Sequence, residues 1–164
     1  MLAGAIKPTS GTAFFDGLDM RTNIASVRAN TGYCPQNNTL IPFMTVEENL
    51  LFTAELREAE DVEDIILTTL MQFQLIEAKD TLASKITYAE QRRLQVAMAL
   101  LESPEFALLD SPTAGIDSDS RNIIWDAILR ARAQTTVVLA TNSTDEAEIL
   151  GDRIAIISKS LISC

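Results

Sequence analysis

Phe106-Ala107-Leu108-Leu109-Asp110-Ser111-Pro112-Thr113-Ala114-Gly115-Ile116-Asp117 decides the fold class of this chain. An apolar run ends in an acid, and a tight turn returns the chain to a second acid. A short apolar run bounded by turn residues reads as a strand buried in a parallel sheet. Open α/β sheets bind ligands beyond the carboxyl ends of such strands. In nucleotide hydrolases an acid at that end holds the magnesium ion that bridges the phosphates. The next position, Ser111, is where such sites often place the carboxylate that orients the attacking water. A serine cannot do that work. The stretch therefore points to a kind of site and to a fault in it.

Outward from this strand, apolar runs alternate with amphipathic segments, which predicts α/β and not all-α or all-β. On the N-terminal side, Met1 to Gly4 reads as the last turn of a helix, Pro8 to Gly11 as a turn, and Thr12 to Phe15 as a short strand followed by the turn Asp16-Gly17. Gly32-Tyr33-Cys34-Pro35 ends a second strand. Thr45 and Glu48 form a capping box that opens a helix to about Arg57, and Asp61 to Leu75 predicts another, with Val62, Ile65, Ile66, Leu70 and Phe73 on one face. Thr87 and Glu90 repeat the capping-box pattern before a helix to about Leu101. On the C-terminal side, Ser118 is placed to cap a helix carrying Ile124, Trp125, Ile128 and Leu129. Thr136 to Ala140 reads as a strand inside a parallel sheet, Ser143 and Glu146 box the next helix, Gly151 closes it, and Arg153 to Ile157 reads as a last strand, with no finishing element expected over Leu161 to Cys164.

Composition narrows the classes. The chain has 164 residues, 47% of them apolar, which suits a globular core of one domain or part of one. Its net charge is −10, with 13 basic against 23 acidic residues, so a surface that tracks nucleic-acid phosphates is excluded. No uncharged apolar run approaches the roughly 18 residues that span a bilayer, and Met1 to Gly11 lacks the pattern of a signal peptide. Two cysteines, Cys34 and Cys164, make no disulfide framework and suit a reducing compartment. There is no histidine, which excludes a Ser-His-Asp triad, a His-ligated metal and a histidine pH switch.

The order of the pieces resembles the ATP-binding domain of ABC transporters over essentially the whole chain, and its wording looks most like subfamily A, the lipid-exporter group. Pro8-Thr9-Ser10-Gly11 is similar to the turn after the family's phosphate-loop helix, and Gly32-Tyr33-Cys34-Pro35-Gln36-Asn37 to its Q-loop. Asp110 to Asp117 resembles the Walker B and D-loop stretch, Thr141 to Ala147 the switch segment, and Gly151 to Ser158 the strand that follows. The resemblance implies a mostly parallel sheet, a helical subdomain near residues 45–90 and an antiparallel N-terminal piece. It implies ATP and Mg2+ as ligands. Gln36 and Asp110 would face the magnesium, Thr87 and Asn142 the nucleotide, and Asp117 the interface with a second ATP-binding domain. Each has a plainer reading in the residues themselves. Gln36 can be a solvated glutamine, Asp110 can cap its turn, and Asp117 can be a helix N-cap beside Ser118. Thr87 is better explained by its capping box than by a ligand.

The pattern breaks at the nucleotide's ligands. The six glycines, Gly4, Gly11, Gly17, Gly32, Gly115 and Gly151, contain no G-x-x-x-x-G-K-[ST] spacing. The resemblance implies that this loop, its strand and the adenine-stacking aromatic residue lie just upstream of Met1, so that residues 1–164 are a partial domain. The family's Leu-Ser-Gly-Gly falls on Ile86-Thr87-Tyr88-Ala89, Ser111 stands at the catalytic glutamate, and Asn142 at the switch histidine. Two functions are expected from this. One is a segment of an ATP-binding domain on the cytoplasmic face of a membrane, working with transmembrane domains encoded elsewhere and deficient in hydrolysis. The other is a catalytically silent module that docks on a competent ATP-binding domain or transporter, cytosolic if expressed alone.

Overall fold

A computed structural model describes residues 1–158 and 161–163. Strands β1 (Phe14–Phe15) and β2 (Leu18–Asp19) pair antiparallel around the turn Asp16-Gly17. Helix α1 (Ile24–Ala29) then leads into β3 (Thr31–Cys34). The central sheet has the order β3-β4-β5, with β4 at Phe106–Asp110 and β5 at Thr136–Ala140, all parallel. Between β3 and β4 lie α2 (Val46–Leu56), α3 (Val62–Gln72), a 3-10 turn (Ile76–Ala78) and α4 (Tyr88–Leu100). Helix α5 (Ser118–Ala131) crosses from β4 to β5, and α6 (Thr144–Leu150) follows. Strands β6 (Ile156–Ser158) and β7 (Leu161–Ser163) close a second antiparallel pair.

The helices begin where local chemistry starts them. Thr45 Oγ1 accepts from Glu48 N at 3.1 Å while the Glu48 carboxylate accepts from Thr45 N at 2.7 Å, so two otherwise orphaned donors are satisfied. Their ends come from a device that carries no glycine. Glu58 and Gln74 adopt left-handed backbone, with φ of 58° and 51°. Ala59 N then donates to Ala54 O at 3.1 Å and Leu75 N to Leu70 O at 2.8 Å, the Schellman pattern. This stops α3 at Gln72, three residues before the expected end.

The core lies between the sheet and helices α2 to α5, with Leu50, Leu70, Leu94, Leu109, Ile124 and Ile128 at its centre. Gly32 lets β3 lie against α4, because a Cβ there would sit 1.7 Å from Ala99 O. A smaller cluster joins Phe15, Met20 and Val27, with Phe106 edge-on to Phe15 at 5.0 Å.

Four local expectations are corrected. Met1 to Gly4 forms a single hydrogen-bonded turn and no helix, and Gly4 O accepts from Arg28 Nη2 instead of continuing a helical ladder. The first strand is shorter than expected, Phe14–Phe15, with Met20 N also donating to Ala13 O at 3.0 Å. Asp117, and not Ser118, caps α5, its Oδ1 accepting from Ser120 N at 2.9 Å. The strand expected from Arg153 begins only at Ile156, and β7 follows it where no finishing element was expected; Cys164 lies outside the described residues. Strand β5 is parallel as expected but is not enclosed. Val137 and Leu139 pack on the core, while Val138 on the other face is 43% exposed. Among the described residues only β4 pairs with β5.

Candidate functional site

The register of the sheet brings the sequence-marked residues to one edge. Cys34 pairs with Leu109 and Asp110 with Ala140, so the carboxyl ends of β3, β4 and β5 lie side by side. Gln36 follows β3 by two residues, Asp110 is the last residue of β4, and Asn142 follows β5 by two. Gln36 and Asn142 are exposed, and Asp110 is half-buried. This edge is where α/β sheets bind ligands.

Ser111 occupies a strained position. Its φ of 49° is left-handed, unusual for a residue other than glycine or asparagine. The backbone there is held from both sides. Ser111 N donates to Ala140 O at 2.8 Å, extending the β4–β5 ladder by one rung, and Ala114 N donates to Ser111 O at 3.2 Å to close the turn. The Ser111 hydroxyl points back to Asp110 Oδ1 at 3.3 Å.

Arg92, which matches the family wording but was given no site role from the sequence, organises this edge. Arg92 is fully buried, and all five of its N–H donors are used. Nε donates to Pro112 O, Nη1 to Pro35 O and Asn38 Oδ1, and Nη2 to Asp110 O and Ser111 O, at 2.8 to 3.1 Å. One guanidinium therefore ties the loop carrying Gln36 to the turn after Asp110. Its acceptors are neutral, and no carboxylate of the described residues forms an ion pair with it. The signal was present in α4, where Arg92, Gln95, Val96 and Ala99 fall at helical spacing on the buried stripe. An arginine on a buried stripe needs acceptors waiting for it. Nearby, burial pushes the Cys34 thiol up to about 11, so it is an unreactive core group.

Thr87, Tyr88 and Asp117 make no side-chain hydrogen bond to Gln36, Asp110 or Asn142. The Thr87 hydroxyl and amide are closed on Glu90, at 2.6 and 2.8 Å from Oε2, and Glu90 N donates back to Thr87 Oγ1. The Thr87 hydroxyl donating to it is the main reason the Glu90 carboxyl is held below its ordinary range. The first turn of α4 is thus self-capped and carries an acid. Half-exposed Tyr88 lies beside Gly115, and its hydroxyl reaches Ala114 O at 3.5 Å. Asp117 is exposed, and the Ser120 amide on its carboxylate, more than any other group, lowers its pKa.

The edge can offer one carboxylate and two amide side chains. Magnesium accepts so sparse a set when phosphates supply the rest. No three His, Cys, Asp or Glu side chains of the described residues gather into a metal cage. The described glycines build no phosphate cradle, and the start of α4 is already satisfied by its own acid.

Comparison with known proteins agrees with the fold and the motif order. The family model described as "ABC transporter" matches residues 1–114. The retinal-specific phospholipid-transporting ATPase ABCA4 of mouse (Mus musculus) is 39% identical over 100% of this chain and 7% of its own length. The human (Homo sapiens) ATP-binding cassette sub-family A member 2 is 38% identical over the same shares. The chain thus spans about 7% of the length of these curated relatives. The solved structure of an ATP-binding subunit of an ABC transporter superposes with a TM-score of 0.81, covering 91% of this chain and 63% of that one at 19% identity, a likeness of fold. No helix of the described residues is long and apolar enough to cross a membrane. With its ATP-binding-domain fold and its subfamily A relatives, the chain belongs to the ABC transporter family.

Proposed function

We propose that these residues are a segment of the ATP-binding domain of a subfamily A-like transporter, with a nucleotide site that has lost its hydrolytic chemistry. In this reading residues 45–90 are its helical subdomain, a second ATP-binding domain and transmembrane domains are its partners, and it works at the cytoplasmic face of a membrane. The task served is lipid movement, as the names of the relatives suggest. Asp110 and Gln36 would hold magnesium, which supplies charge neutralisation at phosphate oxygens when bound. Within the chain, Arg92 ties both loops together and Asp117 caps α5; in this reading Asp117 would face the second domain, and Asn142 and Thr87 the nucleotide.

The observation that carries the loss of hydrolysis is the state of two positions. Ser111 has no carboxylate to orient water, and its hydroxyl is spent on Asp110. The α4 start is closed by the Thr87–Glu90 box, and Tyr88 puts a bulky side chain at the position where the family resemblance implies a glycine. The closed α4 start also favours a second reading, a silent module that binds a competent ATP-binding domain without nucleotide.

Titration calorimetry of the purified chain with ATP and Mg2+, beside an unfolding scan, tests the proposal. No ATP binding is the expected result; with cooperative unfolding it favours the silent module, and without it the segment of a larger domain. Micromolar binding would overturn the closed-site argument. Nucleotide-independent binding to an intact ATP-binding domain would replace the first reading with the second.

A further inference from the structure

Glu146 does not do what its spacing predicts. Ser143 and Glu146 have capping-box spacing, and Glu146 N does donate to Ser143 Oγ at 3.3 Å. The reciprocal half is missing, because the carboxylate turns inward. Glu146 is 1% exposed. Its Oε1 accepts from Thr113 Oγ1 at 2.7 Å and from Trp125 Nε1 at 3.0 Å. The Arg121 guanidinium lies over the Trp125 ring at 5.4 Å.

One buried oxygen therefore joins three segments. Thr113 belongs to the turn between Asp110 and Asp117, Trp125 to α5, and Glu146 to the first turn of α6. A carboxylate buried among neutral donors costs desolvation that a surface capping box would avoid. Helix α6 would start as well with that side chain in water, so the inward turn is not explained by capping.

We infer that Glu146 is a positioning residue that couples the segment 141–146 to the turn 111–117, so that the exposed ends at Asn142 and Asp117 shift together. A displacement of α6 pulls on Thr113 and Trp125 through one atom. The turn it pulls on is already pinned at Ser111 by Arg92 and Ala140. Movement is then channelled toward Asp117. This coupling is internal to the chain and does not depend on nucleotide binding.

Proximity is not coupling, so the test measures coupling directly. Backbone hydrogen exchange is read for residues 112–117 and 141–147 in the whole chain, with the emission of Trp125, the only tryptophan. The variants are Glu146→Ala, Glu146→Gln and Thr113→Val. Loss of a hydrogen bond of this kind corresponds to exchange faster by up to about tenfold. Glu146→Ala is expected to accelerate both segments by about that factor and to change the Trp125 emission. Glu146→Gln, which keeps an acceptor oxygen, restores both readouts. Thr113→Val leaves Glu146 and Trp125 in place and accelerates residues 141–147 as well as its own turn; it carries the test even if Glu146→Ala loses cooperative unfolding. The inference is overturned if Thr113→Val affects only residues 112–117, or if Glu146→Gln is no better than Glu146→Ala.

Discussion

Replacing Arg92 with methionine removes the piece that holds the candidate site's edge together. The change keeps much of the side chain's length and apolar stem while deleting five N–H donors. Five acceptors lose their partner: Pro35 O, Asn38 Oδ1, Asp110 O, Ser111 O and Pro112 O. A hydrogen bond from a charged donor is worth about 1.5–3 kcal/mol, and an acceptor left buried without one costs about 1–3 kcal/mol. Against that stands the desolvation of a guanidinium, several kcal/mol, which the methionine no longer bears. Some of the five acceptors are near enough to the edge to find water. The net expectation is a loss of about 3–5 kcal/mol, the range seen when one partner of a buried charged contact is removed. At about 2–4 °C per kcal/mol for a chain of this size, the melting midpoint falls by about 6–20 °C. The assay is urea and thermal unfolding followed by circular dichroism. Arg92→Lys separates charge from geometry: it keeps the charge but has three donors for five acceptors, so it falls between the wild type and Arg92→Met. A loss of under about 1 kcal/mol for Arg92→Met would refute the reasoning, because the guanidinium's own desolvation would then cancel everything it ties together.

Other outcomes follow from the same geometry. Gly32→Ala places a Cβ 1.7 Å from Ala99 O, a backbone atom that cannot step aside, so β3 must leave α4 and cooperative unfolding is expected to be lost or the protein to be insoluble. Thr87→Ala removes the cap acceptor for Glu90 N and lowers stability by about 1 kcal/mol in urea titration. Glu90 has its pKa lowered on folding from the ordinary 4.5, chiefly by the Thr87 hydroxyl, so its contribution is present above that value and fades as pH falls through the lower folded one. Acid titrations should therefore show a shallower loss of stability below pH 4.5 in Glu90→Gln than in the wild type.

The sequence by itself determined the features that depend on neighbours along the chain. The capping boxes at Thr45–Glu48 and Thr87–Glu90 are contacts over three residues, so they could be read directly and both are present. The strand Phe106 to Asp110, its turn and a mostly parallel sheet were legible because apolar runs and helices alternate, while the order β3-β4-β5 came from the structure. That order in turn places Gln36, Asp110 and Asn142 at one sheet edge. The helix ends at Glu58 and Gln74 were not legible, since left-handed backbone at a non-glycine residue is imposed by packing Ala59 and Leu75 on the core beyond it. Only the tertiary structure decided where Arg92 and Glu146 send their charges. Their partners lie 18 to 57 residues away, and a charged side chain on a half-buried helix can face water or an internal acceptor with the same local sequence. Exposure of β5 was likewise a matter of what packs on it, since an apolar run records what a strand tolerates on each face and not which faces are covered.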